Sequence, residues 1–298
     1  MKRAIDVTRA IGAAFIVAGL TGLAGCATVP GARDDDGAQL WRGTLDAVLW
    51  MQSSEEYRAL AAQVYAQAMS RLPALIEPGT AALEQADAPA QALAALPTAI
   101  VLDVDETVLD NSYHQARLLL EGRVYAPQSW DAWVREAVAP PIPGALEFLT
   151  AAKRAGHRIF YVTNRECPPA PAPVGEDPCP QRTATMRNLA THGFPDADRV
   201  DSFLLLNGKP AWHGSDKGPR RAALASEYRI VALFGDDLRD FVDRGQFAAR
   251  RSELAPLFGK RWFLLPNPAY GSWERALVGA DCTGTPLECK YSALKRAP

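Results

Sequence analysis

The stretch that most constrains this chain is a run of apolar, partly β-branched residues, Ala99-Ile100-Val101-Leu102, which ends abruptly in Asp103-Val104-Asp105-Glu106-Thr107. Such a run reads as a parallel strand buried on both faces, delivering its terminal acids to the edge of a sheet where open α/β folds bind ligands. Alternation along a strand sends Asp103 and Asp105 one way and Val104 the other. Two adjacent carboxylates suit a hard cation such as Mg²⁺, and an aspartate can also be the nucleophile of phosphoryl transfer through an aspartyl-phosphate.

With 298 residues and 48% hydrophobic composition, the chain can bury the core of one large α/β domain. Its formal net charge of −2 excludes a nucleic-acid polymer as partner, because binding a phosphate backbone needs concentrated Lys and Arg. The N-terminus has the form of a targeting segment, residues 1–25: a basic start, then the apolar stretch Ala10 to Ala24, which is short of the ~20 residues that span a bilayer. It closes in Leu23-Ala24-Gly25-Cys26, which resembles a bacterial lipobox with Cys26 as the lipidated residue. By that resemblance, Ala27 rather than Asp after the cysteine favours the outer membrane over retention at the inner one, so the expected place is a lipid-anchored, periplasmic or surface-facing protein. Residues 26–39 then read as a polar tether. Four other cysteines fall in two local pairs, Cys167 with Cys179 and Cys282 with Cys289. Three connectivities exist; the short loops favour neighbour pairing, which fits an oxidising compartment.

Along residues 40–298, the first part, 40–97, reads as N-terminal helices. One carries an apolar stripe of Trp41, Leu45, Val48 and Leu49, and a second starts at the capping box Ser53-Ser54-Glu55-Glu56 and carries Tyr57, Leu60, Val64 and Ala68. Alanine-rich residues 81–96 predict another helix. Residues 112–142 predict a small helical cap, Ser112 to Gly122 and Pro127 to Val138, followed by a helix over Ala145 to Ala155. Further strands are expected over residues 157–165, 202–206, 230–234 and 262–265, alternating with helices near 181–192, 216–226 and from Leu238 onward. This alternation implies βαβ units and a parallel sheet covered on both faces. The Pro-rich segment from Cys167 to Pro180 is expected as a loop.

Later strand ends and loops supply groups that complement the two acids. Thr163, with the backbone amides of Asn164 and Arg165, can hold a phosphate oxygen. Lys217 in Gly214-Ser215-Asp216-Lys217-Gly218 is a point cation, and Gly235-Asp236-Asp237-Leu238-Arg239-Asp240 supplies carboxylates for a metal.

Taken in order, Asp-x-Asp-Glu-Thr, strand-Thr-Asn, Lys and strand-Gly-Asp-Asp-x-x-Asp resemble the four motifs of the haloacid dehalogenase phosphatases. Trp50 to Tyr57, Leu102 to Ser112, Thr163-Asn164-Arg165 and Leu265 to Glu274 narrow the resemblance to the class C acid phosphatase and 5′-nucleotidase surface lipoproteins. It implies a Rossmann-like parallel sheet flanked by helices and a Mg²⁺-dependent acid phosphatase acting on nucleoside 5′-monophosphates. Asp103 would be the nucleophile and Asp105 the general acid and base. Thr163, Asn164 and Lys217 would hold the phosphate; Asp103, the Asp105 carbonyl, Asp236 and Asp240 would hold the metal, Asp240 directly or through water. The match places Tyr125, Trp130 and Tyr270 around a nucleobase, while Trp133 reads as core. Alternatives are a non-enzymatic binding lipoprotein or a phosphotransferase on the same fold, with a homodimer as a further expectation. One departure from the pattern is Asp237 where the family usually has Asn, expected to alter the metal site's charge; another is the Cys167–Cys179 loop, which looks like an insertion beside Thr163.

Overall fold

A computed structural model describes residues 36–278 and 282–295, so the expected signal segment, most of the tether and Cys26 lie outside the described residues. The centre is a five-stranded sheet of β1 (Thr98–Leu102), β2 (Arg158–Glu166), β3 (Phe203–Leu206), β4 (Arg229–Gly235) and β5 (Trp262–Leu264), in the order β3-β2-β1-β4-β5. All four pairings are parallel. The chain works outward from β1 to one edge, then returns to β1's other side with β4, and that reversal of order opens a crevice at the strands' C-terminal ends. β1 shows why its sequence runs apolar without alternation. Ile100 and Leu102 enter one core and Ala99 and Val101 the other, so each side of the strand is covered.

Around the sheet lie α1 (Asp36–Ser53), α2 (Glu55–Arg71), α3 (Ala90–Ala94), α4 (Ser112–Glu121), α5 (Pro127–Glu136), α6 (Ala145–Arg154), α7 (Pro180–Thr191), α8 (Gly218–Ala225), α9 (Arg244–Ala249), α10 (Arg251–Leu254), α11 (Ser272–Val278) and α12 (Pro286–Ser292). On the first face, Tyr65 of α2 and Phe148 of α6 pack on Phe234 of β4. On the second, Leu224 of α8 joins Trp262, Phe160 and Leu233.

Several local expectations need correction. Helix α1 begins at Asp36, so the last four residues of the expected tether are helical. Its inward residues are Val48 and Met51, whereas Leu45 and Leu49 are exposed; on α2, Leu60 is exposed and Ala61 and Tyr65 are buried instead. Of the expected capping box Ser53-Ser54-Glu55-Glu56, it is Ser54 that caps α2, accepting from the Tyr57 backbone amide. Residues 81–96 form only a short 3-10 turn and α3. Pro89 breaks the run, and Gln85 is drawn into the core, where its side chain bonds the carbonyls of Ala225 and Tyr228 and the amide of Ile230. The helix expected from Leu238 is a 3-10 turn, Leu238–Asp240, followed by α9 and α10. The helices expected over residues 112–142 are present as α4 and α5, and both neighbour-paired disulfides, Cys167–Cys179 and Cys282–Cys289, are present. No helix of the described residues is long and apolar enough to cross a membrane.

Candidate active site

Strand β1 stops at Leu102, so strand alternation does not govern Asp105. A tight turn does. Glu106 takes φ +53°, and its carboxylate accepts from the Asn111 amide, folding the segment back on itself. From beneath, the Tyr65 hydroxyl donates to the Thr107 carbonyl at 2.6 Å, which gives α2 a supporting part in the site. The turn still leaves Asp103 and Asp105 lining one cleft of about 570 Å³.

Each acid has its own buried cation. Lys217, which precedes α8, puts Nζ 2.6 Å from Asp103 Oδ1 and 2.6 Å from Asp240 Oδ1. Asp105 Oδ1 accepts from Arg165 Nε at 3.0 Å, Arg165 Nη2 at 2.8 Å and Asn111 Nδ2 at 3.0 Å, and Asp105 Oδ2 accepts from the Thr163 hydroxyl at 3.3 Å. Arg165 is 1% exposed; its remaining arm reaches Thr185 Oγ1, and its guanidinium lies 5.8 Å from the Trp130 ring centre. The sequence reading gave Arg165 only a backbone amide. Its charge was the available signal: an arginine two residues past a buried Thr belongs to an exposed strand end unless an acid receives it.

Asp103, Asp236 and Asp240 each present a carboxylate oxygen within 4.8 Å of the others. The parallel register explains the meeting, since the Asp103 amide donates to the Phe234 carbonyl and Asp236 follows β4 directly. Asp236 Oδ2 accepts from Asn267 Nδ2 at 2.8 Å, and Asp240 Oδ2 accepts from the Asp237 amide. A Cβ on Gly235 would lie 2.2 Å from Asp240 Oδ2, so only glycine leaves room for that acid. Burial, with Asp240 and Asp105 nearby, overrides the pull of Lys217 and pushes the Asp103 carboxyl up to about 7. Burial, then Asp240 and Asp103, likewise raises Asp236 well above the carboxylate range. Lys217 is raised despite burial because Asp103 and Asp240 both favour its charge. Three carboxylates against one lysine leave an excess of negative charge, and an all-oxygen donor set of this kind fits a hard divalent cation.

Two neighbouring carboxylates stand outside this cluster. Asp105's side chain is outside the acidic cluster, held by Arg165. Asp237 does not add its charge there either: its carboxylate accepts from Ser272 Oγ at 2.5 Å, from the Ser272 amide and from the Arg239 amide at 2.9 Å. Burial would raise Asp237, but the Ser272 bonds outweigh it and hold the carboxyl below its ordinary value.

Of the expected phosphate ligands, Lys217 and Asn164 line the cleft, while Thr163 is fully buried behind it, its hydroxyl shared between Asp105 and the Arg165 amide. Asn164 Oδ1 accepts from Arg220, a wholly buried residue that also donates to the Thr163 carbonyl. Tyr125, Trp130 and Tyr270 all line the cleft, with the Tyr270 hydroxyl donating to Glu106. Trp133 is core, as expected from its sequence position, its indole donating to Asn111 Oδ1 at 2.8 Å. Behind Trp130 lies His114, 3% exposed, ring centres 5.3 Å apart and edge-on, with neither ring nitrogen bonded within the protein.

The chain matches the family described as HAD superfamily, subfamily IIIB (acid phosphatase), over residues 37–273. Similar solved structures include the class C acid phosphatase from Bacillus anthracis, at 31% identity and TM-score 0.68, covering 87% of this chain and all of that one. Its tungstate-bound form has the same identity and coverage, with TM-score 0.70. Among curated proteins, Acid phosphatase 1 of Solanum lycopersicum is 30% identical over 177 residues, 57% of this chain; the match spans 57% of that relative's length.

Proposed function

The chain belongs to the HAD superfamily, subfamily IIIB, of acid phosphatases, and from that membership we propose that it hydrolyses phosphomonoesters, nucleoside 5′-monophosphates among them. The observation that carries this reading is the pairing of Asp103 with Lys217 at the floor of a cleft whose walls hold Asp105, Tyr125, Trp130 and Tyr270. A site built only to bind an anion gains nothing from two carboxylates facing it. A nucleophile and a proton carrier, however, must both reach the reacting phosphate.

In the proposed reaction, Asp103 attacks phosphorus, the P–O bond to the leaving alcohol breaks, and Asp105 gives that oxygen a proton. Water then attacks the Asp103-phosphate, Asp105 takes a proton from it, and inorganic phosphate leaves. Lys217 holds phosphate oxygens and balances charge at Asp103, while Arg165 and Asn111 fix the direction of Asp105. Asp103, Asp236 and Asp240 would hold Mg²⁺, which supplies charge neutralisation of the phosphate oxygens when bound. That one of the solved relatives holds tungstate, a tetrahedral oxyanion, supports phosphate as the group received. The aromatic side chains support a base-tolerant stacking wall, worth ~1–3 kcal/mol per base. We also propose the oxidising periplasm or cell surface as the location, with Cys26 as anchor, a reading supported by the two disulfides.

The test is phosphate release from AMP by the protein with Mg²⁺, with EDTA, and in the Asp103→Asn variant. Release that needs both metal and Asp103 is expected. A folded protein that releases phosphate from neither AMP nor an aryl phosphate would be a binding lipoprotein instead.

A further inference from the structure

Not every cation that lines the cleft is committed to a buried acid. Of its four cationic side chains, Lys217 and Arg165 are buried and committed: Lys217 to Asp103 and Asp240, Arg165 to Asp105 and Thr185. Arg239 and Arg275 line the same cleft differently. Arg239 makes only long contacts, Nη1 to Ser215 Oγ at 3.3 Å and Nε to Asp237 Oδ1 at 3.4 Å. That Asp237 oxygen is already shared with Ser272 and the Arg239 amide. Arg275 is exposed on α11 and forms no ion pair among the described residues. The nearest acid in sequence, Glu274, is taken by Lys290 of α12. The cleft lining therefore includes two guanidinium groups with few partners among the described residues, beside Lys217 and Arg165, which are committed to buried acids.

We propose that Arg239 and Arg275 form an anion subsite in the cleft, which receives a second negatively charged group of the substrate while Asp103 and Lys217 engage the phosphate to be removed. This rests on the phosphatase reading above and narrows it: the favoured substrates are monoesters with a distal second anion, such as nucleoside 3′,5′-bisphosphates. Guanidinium is suited to this because its planar fork meets phosphate or carboxylate with two parallel N–H donors. A cleft of about 570 Å³ has room for a leaving group carrying a second anion beside the phosphate.

The experiment compares kcat/KM for adenosine 5′-monophosphate and adenosine 3′,5′-bisphosphate, separating products by chromatography, in the full chain and in R239Q, R275Q and the double variant. The expected result is a preference for the bisphosphate of roughly three- to ten-fold, the range of partly exposed charge pairs, which falls toward unity in the double variant and at high salt. Conservative R239K and R275K variants retain part of it. Equal kcat/KM for the two esters, or a preference unchanged in the double variant, overturns the subsite. No release from either ester refutes the phosphatase reading instead. Calorimetric titration of the same two nucleotides then judges the subsite alone: tighter bisphosphate binding that the double variant loses upholds it, and equal binding removes it.

Discussion

Replacing Asp237 with Asn separates two accounts of the acid that follows Asp236. If Asp237 contributed charge to the metal site, the change would alter the metal requirement. In the structure it latches the N-terminus of α11 instead, accepting from the Ser272 hydroxyl at 2.5 Å, the Ser272 amide and the Arg239 amide at 2.9 Å, with Arg239 Nε at 3.4 Å. An amide keeps one acceptor oxygen and turns the other into a donor facing donors. The loss is one charge-assisted bond, about 1.5–3 kcal/mol, with at most about 1 kcal/mol more from the partly exposed Arg239 pair. For a domain of this size that lowers Tm by roughly 4–12 °C. Because the folded carboxyl is held below its unfolded value, its stabilisation is present above the ordinary aspartate pKa and is lost as pH falls through the folded one. The deficit of Asp237→Asn is therefore full at neutral pH and shrinks below about pH 4. Thermal melts across pH, beside Mg²⁺ titrations of activity, check both halves. An unchanged Tm together with about a ten-fold shift in metal requirement, ~1.4 kcal/mol, would refute the latch and restore Asp237 to the metal site.

Other outcomes follow from the same geometry. Gly235→Ala drives a methyl into Asp240, whose Cβ would be 2.3 Å away; a loss of about 1–3 kcal/mol in stability and a weakened metal response are expected, seen by melts and Mg²⁺ titration. His114→Phe removes two buried nitrogens without protein partners and should stabilise by about 1 kcal/mol. Burial, then Arg117 and Arg123, lowers the His114 pKa, so the wild-type chain loses stability as pH falls below the unfolded value near 6.5; the Phe variant should lose less, and parallel acid denaturation curves would contradict this. Asp103→Asn should retain the wild-type circular dichroism spectrum and release no phosphate from AMP.

The sheet was legible because period and composition act locally. A strand covered on both faces must be apolar throughout, so β1, β2, β4 and β5 announce themselves, and the acids after β1 and β4 mark the cleft. The alanine-rich residues 81–96 misled for the complementary reason: helix propensity is weak, and Gln85 is worth more bonded across the core to Ala225 and Tyr228 than left in a helix. Likewise Leu45 and Leu60 fit a helical stripe, but the faces that α1 and α2 bury depend on where neighbouring helices sit.

At the site, sequence alone picked out residues that the structure gathers at one cleft, Asp103, Asp105, Lys217, Asp236 and Asp240. Pairing among them was a tertiary decision. A carboxylate's sequence neighbours do not say whether it will meet Lys217, Arg165 or Ser272, because those partners arrive from other strands and helices. The turn at Glu106 set Asp105 against Arg165, and the close approach of Asp240 to Gly235 set the third acid beside Lys217. Asp237, one residue past Asp236 and the cap of the 3-10 turn Leu238–Asp240, meets Ser272 instead, because only packing decides which carboxylate joins the acidic cluster.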